Sequence, residues 1–304
     1  MDRFAKLPPG AANPEGITVG RHGDVYVTTF DVAGSAPGKL FVFDKRGHLK
    51  RELEVVGSSN LLLGVAFNPV TDELLVVDFG AGNVLRVDPH SGAASVFSSI
   101  PGGGLNALAF DGAGNVYVSD SGRGIIWRTG PAGGAAVEWV NDPLLTTTGF
   151  PPFGANGMDF NRAETALFVA NTGDDQVIRI PVTAGAPGVP EVFVNSVNGA
   201  DGLIVDEHDN LWVCANQANE IVVVDRTGRA IAKLGDFDGL RRGAPEGLLF
   251  PASLARHGGW IYVTNLSLDL RLFGLPQSVD SQWAAEVTTH TIARLRARIP
   301  HHKD

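Results

Sequence analysis

Four oxygen-bearing side chains open successive copies of one recurring segment. Glu15 begins Glu15-Gly-Ile-Thr-Val, Asn106 begins Asn106-Ala-Leu-Ala-Phe, Asn156 begins Asn156-Gly-Met-Asp-Phe and Asp201 begins Asp201-Gly-Leu-Ile-Val. Leu63 and Ala252 open the two remaining copies. Two carboxylates and two amides, with no His or Cys among them, make a hard donor set. It suits Ca2+, which takes about 6–8 oxygens in loose geometry and completes its shell with water or substrate. Mn2+ and Mg2+ share the preference for oxygen, whereas Zn2+ is better served by His or Cys. A single Asn, Asp or Glu at a strand start ordinarily caps or turns the backbone. Four at equivalent places in a repeat point to one shared ion, because carboxylates crowded in a narrow channel repel each other without a cation.

The elements that must carry these donors follow from the repeat. Each copy continues through a polar turn into a second apolar run: Val25-Tyr-Val-Thr, Leu74-Leu-Val-Val-Asp, Val116-Tyr-Val-Ser-Asp, Leu167-Phe-Val-Ala-Asn, Leu211-Trp-Val-Cys-Ala-Asn and Ile261-Tyr-Val-Thr-Asn. The opening residues are 48, 43, 50, 45 and 51 positions apart. Short strands repeating at that length predict an all-β six-bladed β-propeller with four-stranded antiparallel blades, filling residues 1–304 as a single domain. Symmetry then gathers the six opening residues into a ring around the central channel. The last blade runs out of chain after a third strand near Thr291 to Ile299, so the N-terminal segment Arg3 to Leu7 is expected to supply its fourth strand and close the ring.

Composition narrows the function classes. Gly 38 is about one residue in eight, well above the roughly 7% average, as blades with many tight turns require. The net charge is −9 and no Lys/Arg block exceeds a pair, which disfavours nucleic acid and anionic membrane surfaces as partners. Cys214 is the only cysteine and falls within an apolar strand, so a disulfide framework is excluded and a reducing compartment fits. The N-terminus has no apolar stretch of signal-peptide type, and no run is long enough to span a bilayer. A cytoplasmic protein acting on a small molecule is expected; the oligomeric state stays open.

Connections on the ring face are long and varied, notably 141–155, 235–251 and 265–289, and loops of that length usually carry function. Several are apolar. Phe30 and Phe79 follow second-strand ends, Phe150 and Phe153 lie in the loop ahead of Asn156, and Asp120 and Asn171 end second strands on the same face. These six are expected to line a partly greasy cup over the ring. Asp201 is the first candidate general base, with Asp120 and Asp78 as alternatives. Glu246, in a second Pro-Glu-Gly, reads as loop acid that could reach the cup, and the histidines sit mostly in turns of the opposite face.

In Pro14-Glu15-Gly16, Leu105-Asn106, Ala155-Asn156-Gly157-Met158-Asp159 and Ala200-Asp201-Gly202-Leu203, the chain resembles the SMP-30/gluconolactonase/LRE-like calcium-dependent lactonases, with paraoxonase and diisopropylfluorophosphatase as distant relatives. The resemblance implies that Glu15, Asn156 and Asp201 are metal ligands and that Asn106 touches metal-bound water or substrate, giving Asp201 and Asn106 catalytic roles. Sugar-lactone members carry an Arg just upstream of the residue equivalent to Asn106; here that stretch is Gly102-Gly-Gly-Leu105. The expectation is therefore a metal-dependent hydrolase of an apolar lactone or ester. Two alternatives stand beside it: a non-catalytic NHL-like propeller that binds a partner or ligand, and a metal-dependent propeller performing non-hydrolytic chemistry.

Overall fold

In the computed structural model, which describes residues 1–275 and 279–299, each repeat becomes an antiparallel sheet of four strands, here called A to D from the axis outward. The A strands are Asn13–Val19, Leu62–Phe67, Leu105–Phe110, Ala155–Phe160, Ala200–Val205 and Pro251–His257. Each packs beside the A strand of the next blade, and the sixth packs against the first, so the ring is closed. Blade 4 carries a two-residue extra strand, Ala186–Pro187, beyond its four. The B strands, such as Val25–Phe30 and Leu211–Ala215, are buried along their whole length, which matches their near-continuous apolar runs.

The sixth blade is built from both ends of the chain. Asp2–Lys6 pairs antiparallel with Thr291–Arg296, joining Asp2 to Arg294 and Lys6 to Thr291. Phe4, Ala5 and Leu7 are buried there, and the Phe4 ring meets Tyr262 edge-on with centroids 4.8 Å apart. The anticipated closing strand is therefore present, and it covers an edge that would otherwise present unpaired N–H and C=O groups. No helix is long and apolar enough to cross a membrane among the described residues.

One irregularity recurs in every blade and sets the direction of the ring side chains. Where A pairs with B, two residues of A oppose one residue of B: Glu15-Gly16 faces Thr28, Leu63-Gly64 faces Val77, and Asn106-Ala107 faces Ser119. Asn156-Gly157 faces Ala170, Asp201-Gly202 faces Cys214, and Ala252-Ser253 faces Thr264. These are six β-bulges in register, and a bulge re-aims a side chain out of the regular alternation. The first residue of each bulge is the ring residue. The second is small, and where it is Gly the next blade leaves no room for a side chain: a Cβ on Gly64 would lie 2.8 Å from the Asn106 carbonyl oxygen.

The N–H freed by the bulge needs a partner. In blades 1, 3 and 6 a B-strand hydroxyl accepts it, from Gly16 to Thr28 at 3.1 Å, Ala107 to Ser119 at 2.9 Å and Ser253 to Thr264 at 3.0 Å. Thr28 then donates to the carbonyl of Leu63 at 2.5 Å and Thr264 to that of Glu15 at 2.7 Å, stitching one blade to the next.

Candidate metal centre

Glu15, Asn106, Asn156 and Asp201 line one cavity on the propeller axis, about 40 Å³ in volume. All four are buried. The side chain two places beyond each bulge partner on strand B also faces this cavity or its ligands, and it divides the site into two arcs. In blades 3, 4 and 5 it is polar and bonds the ring residue of its own blade. Asn106 donates to Ser121 at 3.3 Å, Asn156 to Thr172 at 3.0 Å, and Asn216 to Asp201 Oδ2 at 2.8 Å. In blades 1, 2 and 6 the same place holds Phe30, Phe79 and Leu266, next to Leu63 in the wall. Loop side chains Phe250, Leu268 and Leu270 pack with them, and Pro151 and Phe153 line the cavity from the loop ahead of Asn156, beside the polar arc.

Glu15 projects from the apolar arc. Its Oε2 is buried with no hydrogen-bond partner among the described residues. Burial, and then the charge of Asp201, hold its carboxyl well above the usual carboxylate range. Burial likewise pushes Asp201 up to about 7, although the Asn216 and Asn156 amides draw it the other way. A buried anion without a partner is costly, and two of them facing one small cavity repel. Hard oxygen donors in this state fit a divalent cation of the Ca2+ type, and Glu15, Asn106, Asn156 and Asp201 are the residues that could hold it. Cys214 lies behind Asp201 in the bulge; burial first, then the Asp201 and Glu15 charges, push its thiol far up, so it is not a nucleophile.

The cup residues expected from sequence divide into two groups. Phe30, Phe79 and Phe153 are in the cavity wall. Asp120, Asn171 and Phe150 are not. Asp120 accepts from the N–H of Gly104 at 3.0 Å and from the Trp127 indole at 3.1 Å, and Asn171 donates to the carbonyls of Leu144 and Thr146 at 2.9 and 2.8 Å. They clamp loops. Asp78 does the same, accepting from Ser59 N–H at 3.0 Å and Ala81 N–H at 3.1 Å. Phe150 is exposed, and Glu246 pairs with Arg3 at 3.2 Å. The residues missed are Ser121, Thr172 and Asn216. The signal for them was the parity of strand B, since they stand in register with Phe30 and Phe79.

One further acidic group, Asp206, Glu207 and His208, could in principle gather a metal. It occupies an A–B turn on the opposite face, and the Asp206 carboxylate already accepts from the N–H groups of His208 and Asn210 at 2.8 and 2.9 Å and from the Trp212 indole at 3.0 Å. That is turn chemistry.

Fold and site together define a six-bladed propeller with a ring of hard oxygen donors on its axis. The SMP-30/Gluconolactonase/LRE-like region model matches residues 66–235, more than half of the chain. The chain belongs to that family. The matched stretch contains Asn106, Asn156 and Asp201, and Glu15 precedes it. Among solved structures, the chain is similar to a gluconolactonase from Xanthomonas campestris at 15% identity, over 86% of this chain and 85% of that one, with a TM-score of 0.65. Regucalcin from Agrobacterium tumefaciens, described as a calcium-binding protein, is 16% identical over 96% and 95% of the two chains, also at 0.65. A virginiamycin B lyase from Staphylococcus aureus is 16% identical over 84% and 78%, at 0.59. Likeness at these identities shows the shared fold. No curated protein sequence matches the chain.

Proposed function

We propose that this protein is a divalent-metal-dependent hydrolase that opens a lactone or ester with an apolar body, with Ca2+ as the ion. The observation that carries the reading is the convergence of Glu15, Asn106, Asn156 and Asp201 on one cavity in which Glu15 Oε2 is buried and, among the described residues, unpartnered. Family membership supports it. When bound, the cation supplies Lewis-acid polarisation of the substrate carbonyl, worth several kcal/mol.

The chain's own groups do the rest. Asp201, steadied by the Asn216 amide at 2.8 Å, takes a proton from the attacking water as that water's oxygen bonds to the carbonyl carbon. The ester C–O bond then breaks and the leaving oxygen recovers the proton. General-base assistance of this kind is worth about 10²–10⁴-fold. Asn106 contacts the substrate or the attacking water from the polar arc. Phe30, Phe79 and Leu266 exclude water and receive the apolar body opposite.

The test is a panel of alkyl, aryl and sugar lactones assayed with Ca2+ and with chelator. Ca2+-dependent ring opening of the apolar lactones is expected, falling at least about 10²-fold in Asp201→Asn and Glu15→Gln. A product that has gained the elements of water marks hydrolysis, and one isomeric with the substrate marks elimination instead. Undiminished turnover in both variants, or a wild-type protein that binds no divalent ion, overturns the reading.

A further inference from the structure

We propose that Ser121 and Thr172 are positioning residues that turn the amide oxygens of Asn106 and Asn156 toward the ion. This rests on the proposed binding of a cation by the ring. A primary amide has an acceptor end and a donor end of nearly the same shape, and a half-turn exchanges them. Asn therefore serves a cation only when its nitrogen is held elsewhere.

Ser121 Oγ donates to the carbonyl of Ala155 at 2.6 Å. Its lone pairs are what Asn106 meets, so only the Asn106 nitrogen can bond it, as it does at 3.3 Å. Asn156 Nδ2 donates to Thr172 Oγ1 at 3.0 Å, so its donor end is held by its own blade. In blade 5 the same place anchors a carboxylate, whose two equivalent oxygens need holding rather than turning. Gln217 Nε2 donates to Asn216 Oδ1 at 3.0 Å, which commits Asn216 to donate through Nδ2 to Asp201 Oδ2 at 2.8 Å.

The distribution around the ring supports an orienting role. A hydroxyl occupies this place in each blade whose ring residue is Asn. Where the ring residue is Leu63 or Ala252, with nothing to orient, the place holds Phe79 or Leu266. Glu15, whose carboxylate oxygens are equivalent, stands beside Phe30. Outer partners of metal ligands typically contribute about 10–100-fold in affinity.

The test is Ca2+ affinity by calorimetry on wild type, Thr172→Val, Thr172→Ser, Asn156→Asp and the double variant Asn156→Asp/Thr172→Val, with melting temperature as the folding control. Thr172→Val is expected to bind Ca2+ about 10–100-fold more weakly, and Thr172→Ser to restore binding. In the Asn156→Asp background, where both oxygens are equivalent, Thr172→Val should cost less than about 3-fold, a non-additivity that simple loss of packing would not produce. Ser121→Ala provides the same reading if Thr172→Val fails to fold, with an expected loss of about 10-fold. Wild-type affinity in both Thr172→Val and Ser121→Ala, or an equal loss with Asn156 and with Asp at 156, overturns this inference alone. A wild-type protein that binds no Ca2+ overturns the metal reading and this inference together.

Discussion

Gly157 lies so close to the backbone of Asp201 that a Cβ at position 157 would sit 2.5 Å from the Asp201 carbonyl oxygen. The two residues belong to adjacent blades, and each is part of the bulge that aims a ring side chain at the axis. The requirement is for space, because the obstacle is backbone. Gly157→Ala is accordingly expected to destabilise the fold by about 1–3 kcal/mol and to weaken Ca2+ binding by displacing Asp201. Gly259→Ala, where a Cβ meets nothing within 4 Å, should stay within about 0.5 kcal/mol of wild type. Chemical denaturation of the two variants checks both.

Glu15→Gln should raise stability in chelator and lower it, relative to wild type, in Ca2+. Without an ion the substitution removes a buried anion whose Oε2 has no partner among the described residues, and amides are far cheaper to bury than carboxylates. With an ion present, wild type gains about 2.7 kcal/mol at a free concentration a hundredfold above its Kd, and the variant forfeits most of that. Melting curves of both proteins with EDTA and with Ca2+ should therefore cross over. Parallel shifts in the two proteins would remove Glu15 from the ligand set.

Removal of residues 1–9 should lower thermal stability severely, because it strips the fourth strand from blade 6 and exposes the edge of Thr291–Arg296. A milder probe is Phe4→Ala, which empties a buried site against Tyr262 and is expected to cost about 3–5 kcal/mol. An unchanged melting temperature in the truncated chain would mean that the ring does not depend on this strand.

His290, which does not line the metal cavity, sets a pH dependence of stability. Its Nδ1 is buried without a partner among the described residues, and burial pushes the imidazole down to about 4. An unfolded histidine titrates near about 6.5, so between those values the unfolded chain binds more protons than the folded one. Stability is then intact above the unfolded value and falls as pH drops through the window toward 4. His290→Leu should lose less stability than wild type between pH 7 and pH 5, as read from urea midpoints. An identical loss in both would show that His290 titrates normally.

Much of this was legible in the chain. The interval between Glu15, Leu63, Asn106, Asn156, Asp201 and Ala252 specified six blades, and the apolar runs that follow each turn, such as those from Val25 and Leu211, read as second strands. The closing strand was readable from a deficit, since blade 6 lacked a fourth strand and Arg3 to Leu7 lacked a blade. The cup was less legible. Asp120 and Asn171 end their B strands, whereas the residues facing the ring ligands are their neighbours Ser121 and Thr172. A step of one residue along a strand moves a side chain to the opposite face, and motif matching by strand ends is blind to that parity.

By itself, then, the sequence determined the period, the strand content and the kinds of donor atom, because these depend on neighbours along the chain. Tertiary structure alone decided that the donors share one small cavity, that Glu15 enters it from the apolar arc without a partner among the described residues, and which end of each asparagine faces inward. Those outcomes come from contacts between bulges 43 to 51 residues apart, where a carbonyl of one blade fits against the missing side chain of another, and no local pattern encodes how closely two such backbones approach.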